Sequence, residues 1–275
     1  MGTIFLMLIF VSCLLYYYVH KINNLLMFKP EKSDKSHIIG HTKEGDIEII
    51  KNNLYIDTHK ICFTYIKNNN SKLTFLYSHG NSGNIMDIEN SYSTKFLLTY
   101  GSVMIYDYRG YGKSTGSPSD GNIKDDTLAI WNYLIYNCDI KPENIVLYGF
   151  SMGTSCALWL GHHLSKNSKS MPKAIIIQSG YYNIKRLVCE LYSLFLVSLT
   201  VLKFDNNEYI KYIKKYNGNY PVYILHSKND GLINFDHAID LSKENNCPLL
   251  EISGTHDDYV LTQNIRELIN GIKIY

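Results

Sequence analysis

The chain is expected to be an α/β protein with a mostly parallel eight-stranded sheet and helices on both faces. Three observations predict this. Short β-branched and aromatic runs alternate with helical stretches through most of the chain, a beat that implies right-handed crossovers between parallel strands. One run, Ile145-Val146-Leu147-Tyr148, ends in Gly149-Phe150-Ser151-Met152-Gly153 and passes into a small-residue apolar stretch, which reads as strand, sharp turn and helix. The length of 275 residues, 45% of them hydrophobic, is ample for one large core, and no linker is long enough to divide off a second domain.

In chain order, residues 3–19 come first and are almost wholly apolar. They approach the short limit of a membrane span. No Lys or Arg precedes them and no small-residue cleavage site follows. A single-pass anchor helix over residues 1–27 is therefore expected ahead of a signal peptide or a buried helix. Tyr16, Tyr17 and Tyr18 suit a membrane interface. Lys21, Lys29, Lys32 and Lys35 lie only on the C-terminal flank, which places residues 28–275 on the cytosolic side of an endoplasmic-reticulum or plasma membrane. Residues 28–45 are polar and read as a loop. Residues 47–50, 60–66 and 73–78 read as three antiparallel strands.

Strands at 102–107, 144–148, 174–178, 222–226 and 249–252 then alternate with helices at 85–100, 123–137, 152–164, 237–244 and 259–272. Residues 182–215 interrupt the beat. Their apolar run Leu191-Tyr192-Ser193-Leu194-Phe195-Leu196-Val197 is expected to lie over the strand ends as a lid, with an ordinary crossover helix as the alternative.

Bulk charge excludes one class of partner. With 27 basic and 25 acidic residues the net charge is +2, and nothing marks a nucleic-acid surface. Cys13, Cys62, Cys138, Cys156, Cys189 and Cys247 are scattered, without metal-ligand spacing, and read as free thiols. His162-His163 has no third ligand in sight, so no metal and no cofactor are expected.

Chemistry enters at Ser151. A serine on a tight strand-to-helix turn stands clear of the sheet, and the Met152 amide at the helix start faces any negative charge forming beside it. Asp230 follows the strand at 222–226 in Ser227-Lys228-Asn229-Asp230-Gly231, and His256 follows the strand at 249–252 in Ser253-Gly254-Thr255-His256. Each falls at the carboxyl end of a strand, where α/β sheets place their sites. Neutral serine is a poor nucleophile and needs an adjacent base. His256 suits that role near neutrality, and Asp230 would hold its tautomer. A second oxyanion donor is expected from the loop His79-Gly80-Asn81-Ser82-Gly83, at the Asn81 amide. His79 competes with His256 as base but has no acid in a comparable turn.

The blocks His79-Gly80-Asn81-Ser82-Gly83-Asn84, Tyr106-Asp107-Tyr108-Arg109-Gly110-Tyr111-Gly112-Lys113-Ser114, Gly149 to Gly153, Asp230 and His256 resemble the α/β-hydrolase superfamily. The second block, with Gly116-Ser117-Pro118 after it, is similar to the bud-emergence-homologue branch and its relatives that remove palmitate from proteins. The resemblance spans roughly residue 28 to the C-terminus. It implies an α/β-hydrolase fold and a serine esterase or thioesterase acting on an ester or thioester substrate, an acyl-lipid or acylated protein among them. Asp107 and Arg109 match a block that is structural in the family. The chain departs from the pattern at His226-Ser227, where the family has His-Gly, and at Thr255, where Gly is usual; it also lacks the depalmitoylases' Cys-rich N-terminus. A catalytically idle scaffold at a membrane and a serine peptidase are the competing functions.

Overall fold

The computed structural model describes residues 2–32, 39–167, 170–192, 197 and 200–274. Ten strands form one sheet: β1 (Gly40–Glu44), β2 (Ile47–Ile56), β3 (His59–Asn68), β4 (Thr74–Ser78), β5 (Ser102–Tyr106), β6 (Ile145–Phe150), β7 (Ala174–Gln178), β8 (Val222–Ser227), β9 (Leu249–Gly254) and β10 (Tyr259–Val260). Their spatial order is β1-β2-β3-β5-β4-β6-β7-β8-β9-β10. From β5 to β9 all neighbours are parallel. Antiparallel pairs close both edges. The helices are α1 (Gly2–Met27), α2 (Ile85–Ile88), α3 (Tyr92–Leu98), α4 (Asp120–Tyr136), α5 (Gly153–Asn167), α6 (Ile184–Leu191), α7 (Asn206–Asn217), α8 (Asp236–Asn245) and α9 (Gln263–Ile274).

Alternation along the central strands builds two cores. Leu76, Met104, Leu147 and Ile175 face one side with α4, α5, α7 and α8, whereas Phe75, Val103, Val146 and Ile176 face the other with α3 and α9. All five residues of β4, β5 and β7 are buried, in keeping with the apolar stretch of three or four residues that each strand carries.

Several expectations are corrected. The sheet has ten strands rather than eight, because β1 is wholly exposed and β10 spans two residues, so neither carries an apolar signature. The strand at 73–78 runs opposite to its predecessor but is not paired with it. β3 pairs with β5, and β4 sits between β5 and β6, parallel to both. A five-residue strand buried on both faces belongs inside a sheet, not in an edge meander. The helix expected at 85–100 is two: Asn84 caps α2 in a capping box with Asp87, and Ser91 accepts the Thr94 N–H to start α3.

The transmembrane anchor is also corrected. No helix among the described residues is long and apolar enough to cross a membrane, which overturns the single-pass placement. α1 does not end with the apolar run. It continues through Lys21, Asn23 and Asn24, and its last turn docks on the domain with Asn23, Met27 and then Phe28 buried. In the expected lid, Ser193, Leu194, Phe195 and Leu196 lie outside the described residues. The described part divides in two. α6 lines the cavity that holds Ser151 and His256, while α7 lies on α5, joined to it where Ser155 donates to Asn206 Oδ1 at 2.7 Å.

Candidate active site

Ser151 occupies the turn between β6 and α5 with φ of +53°, left-handed backbone that side chains other than glycine adopt at a cost. The turn closes because its flanking residues lack a Cβ. One on Gly149 would lie 2.5 Å from the Gly153 oxygen, and one on Gly153 would lie 2.0 Å from the Ser78 oxygen. The Ser151 N–H donates to the Gln178 carbonyl at 2.9 Å, and the Thr154 hydroxyl donates to the Ser151 carbonyl at 2.6 Å. Strand, turn and helix are thereby fixed to β4 and β7.

The other two groups arrive from β8 and β9. His256 Nδ1 lies 2.8 Å from Asp230 Oδ2, and His256 Nε2 lies 3.0 Å from Ser151 Oγ. A carboxylate only accepts, so Nδ1 carries the proton and Nε2 is left to accept from the serine hydroxyl. All three side chains are buried. Asp230 Oδ1 accepts the Leu232 and Ile233 N–H groups at 2.9 and 2.8 Å, so the turn role and the site role coexist in one carboxylate. Burial alone would raise its pKa. Hydrogen bonds from His226, His256 and the Ile233 N–H outweigh burial and hold the carboxyl well below the usual carboxylate range.

His79 is not brought to Ser151. Its Nδ1–H donates to the Gly80 carbonyl at 2.9 Å, and burial pushes its pKa down to about 4, so the ring is neutral beneath the loop. That bond orients the Gly80–Asn81 peptide, whose N–H belongs to Asn81. The Asn81 carbonyl in turn accepts from the Lys29 N–H at 3.0 Å and the Tyr111 hydroxyl at 2.9 Å. The loop runs against the serine: a Cβ on Gly80 would lie 3.6 Å from Ser151 Cβ. The N–H groups of Asn81 and Met152 have no backbone acceptor among the described residues, and the latter sits at the start of the 15-residue α5. Two such donors beside a serine suit a developing oxyanion.

Asp107 and Arg109 lie away from the serine and hold loops. Asp107 accepts the Ile85 N–H at 2.8 Å, and burial raises its pKa to about 7 against that bond and one from the Lys113 N–H. Arg109 reaches Asp126 Oδ1 at 2.7 Å and Asn122 Oδ1 at 3.1 Å.

Three contributors escaped the sequence reading. His226, at the end of β8, points Nε2–H at the Ile233 carbonyl (2.9 Å) and at Asp230 Oδ2 (3.3 Å), so two histidines hold one carboxylate oxygen. The signal was present in its position four residues before Asp230. Ser227, which departs from the family's glycine, donates its hydroxyl to the Gly254 carbonyl and ties the acid loop to the histidine loop. Gly254, at φ +107°, does the turning that Thr255 does not. The third is the end of α1. Asn23 and Met27 line a cavity of about 440 Å³ together with Ser151, His256, Asn81 and Met152.

Sheet order, the tight turn at Ser151 and the arrival of Asp230 and His256 from the next strand ends are those of the α/β hydrolases, and this chain is one. Residues 5–180 match a family profile described as Chlamydia CHLPS protein (DUF818), and the chain belongs to that family. It is 34% identical over 230 residues to uncharacterized protein R595 of Acanthamoeba polyphaga mimivirus, covering 76% of each chain. It is 30% identical over 197 residues to human alpha/beta hydrolase domain-containing protein 17B, covering 70% of this chain and 63% of that protein, less than two thirds of its length. Among solved structures, an esterase from Pyrococcus furiosus superposes with a TM-score of 0.63 at 19% identity, covering 90% of this chain and 96% of the other, a likeness of fold.

Proposed function

We propose that the chain is a serine hydrolase that cleaves carboxylic ester or thioester bonds, with Ser151 as nucleophile, His256 as general base and acid, and Asp230 as its orienting carboxylate. The observation that carries this reading is the unbroken relay from Ser151 Oγ through His256 to Asp230, at 3.0 and 2.8 Å. In the first half-reaction Ser151 Oγ attacks the acyl carbon while its proton passes to His256 Nε2. The imidazolium so formed is stabilised by Asp230, and the oxyanion is met by the Asn81 and Met152 amides. Collapse expels the alcohol or thiol, which takes the proton from Nε2 and leaves an acyl-Ser151. Water, deprotonated by His256 in its turn, hydrolyses that ester and restores the serine.

Residues 28–275 constitute the hydrolase domain on this reading, and the insertion of about 182–215 carries the lid. The substrate is an acyl ester or thioester, as in an acyl-lipid or acylated protein. Ile184, Leu187, Val188 and Leu191 of α6 line the cavity that holds Ser151 and His256, which supports an apolar acyl group. Each methylene buried there contributes up to about 0.8 kcal/mol.

The test is covalent labelling with a fluorophosphonate probe, run beside hydrolysis of p-nitrophenyl and thioester substrates. Wild type should label and turn over, and Ser151→Ala should do neither while remaining folded, with turnover lower by roughly 10⁴ to 10⁶. Failure of the wild type to label would favour an idle scaffold. Labelling that persists in Ser151→Ala would move the nucleophile elsewhere.

A further inference from the structure

We propose that the last two turns of α1 are a fixed wall of the acyl-binding cavity and that Met27 sets the acyl-chain length the site accepts. This rests on the serine-hydrolase reading and extends it to specificity for long-chain acyl esters and thioesters.

The two ends of α1 differ in kind. Leu6, Met7 and Phe10 are about two-thirds exposed, whereas Asn23 and Met27 are buried. The buried end is tethered on three sides. Asn23 Oδ1 accepts the Val201 N–H at 3.1 Å, which joins the helix to the 182–215 insertion. Phe28, immediately after the helix, packs edge-on against Phe204 at 6.4 Å between ring centroids. Beyond it the Lys29 N–H holds the Asn81 carbonyl, and the Glu31 carbonyl accepts the Gly112 N–H at 2.9 Å. The helix end is thus bonded both to the insertion and to the loop that carries the Asn81 amide. A side chain on such a mount keeps its position when substrate enters.

Met27 is the apolar side chain this mount presents. It belongs to the same packed cluster as Met152, Leu187 and Leu202, and all four line the cavity. The wall also takes residues from Gly80 to Ser82, from α6, from Leu232 and Ile233 and from the neighbourhood of His256, so segments from both ends of the chain border the cavity. Methionine is unbranched and polarisable, and it suits a surface that must lie along a flexible chain. At about 440 Å³ the cavity is within the usual range for a small-molecule site, so one side chain's volume alters what fits. A bulkier residue at position 27 shortens the room available, and a smaller one extends it.

The experiment uses the full chain and measures kcat/KM on p-nitrophenyl esters from acetate to dodecanoate without detergent. Wild type, Met27→Trp, Met27→Ala and Met7→Ala are compared. Met27→Trp is expected to lower the dodecanoate-to-acetate ratio at least tenfold. Met27→Ala is expected to move the preferred length upward, and Met7→Ala, on the exposed stretch, to leave the ratio as in wild type. Should Met27→Trp fail to fold, Met27→Ala against Met27→Leu carries the comparison. Labelling rates with fluorophosphonates of short and long alkyl chain give a readout independent of turnover and should show the same ordering. The same ratio in every variant, or an equal change at every chain length, overturns the wall assignment and leaves the serine hydrolase standing. A wild type that neither labels nor turns over overturns both.

Discussion

Ser151 holds a left-handed backbone at φ +53°, and a pair of substitutions there separates the demands of chemistry from those of the fold. An L-residue in that region costs about 1–2 kcal/mol relative to right-handed backbone. Ser151→Ala keeps the cost and loses the hydrogen bond to His256, a net loss of about 0.5–1.5 kcal/mol. Ser151→Gly loses the same bond but is relieved of the strain. Against that relief stands the greater freedom of glycine in the unfolded chain, about 0.5–1 kcal/mol. The lost methyl group borders the cavity, so its burial adds little. The balance leaves the glycine variant more stable than the alanine variant by about 0.5–1 kcal/mol. For a domain of this size that difference raises Tm by about 1–4 °C. Thermal and urea unfolding at pH 7, followed by fluorescence of the two tryptophans, measures it, and both variants should be inactive. An alanine variant that melts at or above the glycine variant would refute the claim that this turn is strained.

Three further outcomes are expected. Asp230→Asn should lower turnover roughly 10⁴-fold. Because the Asp230 pKa is depressed on folding, its carboxylate stabilises the native state above about pH 4, and that stability is lost as pH falls toward the folded pKa. The stability gap between wild type and Asp230→Asn in urea titrations should therefore narrow below about pH 4, and a gap independent of pH would contradict the assignment. Gly153→Ala places a Cβ 2.0 Å from the Ser78 oxygen, a backbone overlap that should cost about 3 kcal/mol or more and appear as insoluble expression or a collapsed Tm. Arg109→Ala strands the buried Asp126 carboxylate and should cost about 3–5 kcal/mol in urea unfolding, with kcat of the folded fraction unchanged; a normal stability would show the pair to be dispensable.

The sequence reading reached furthest where local chemistry repeats a periodic signal. Gly149 and Gly153 bracket Ser151 because backbone must pass there, so the turn could be read from the letters. Asp230 and His256 could be located because each follows a β-branched run, and the structure brings both within hydrogen-bond reach of the chain of groups ending at Ser151. The place of β4 in the sheet is not legible in the same way. A short run with an apolar centre, Phe75-Leu76-Tyr77, says that a strand is buried but not which neighbours it has, and its partners are set by the crossover that follows it, through α2 and α3. β1 was invisible because its pairing with β2 is a backbone matter, with all five side chains in solvent. The apolar content of the N-terminal helix carries no trace of how its end docks. Burial of Asn23 and Met27 depends on residues about 180 positions away, which no window over residues 3–19 contains. Ser227 read as a loss relative to glycine, yet its hydroxyl makes a link that glycine cannot.

The serine and its partners are separated along the chain by most of the C-terminal half, and this bears on when reactivity appears. Ser151 follows β6, the third strand of the parallel series in order of synthesis, whereas His256 follows β9, one of the last elements made. Parallel neighbours are joined only by crossovers, and contacts as distant in sequence as Ser151 with His256 cost loop-closure entropy before they form. On the proposed mechanism, Ser151 has no base to take its proton until β9 docks beside β8. On that mechanism a partly folded molecule with its core already collapsed would be chemically silent at its half-built site. Recovery of probe labelling after dilution from urea reports that final docking and should trail the return of helical signal.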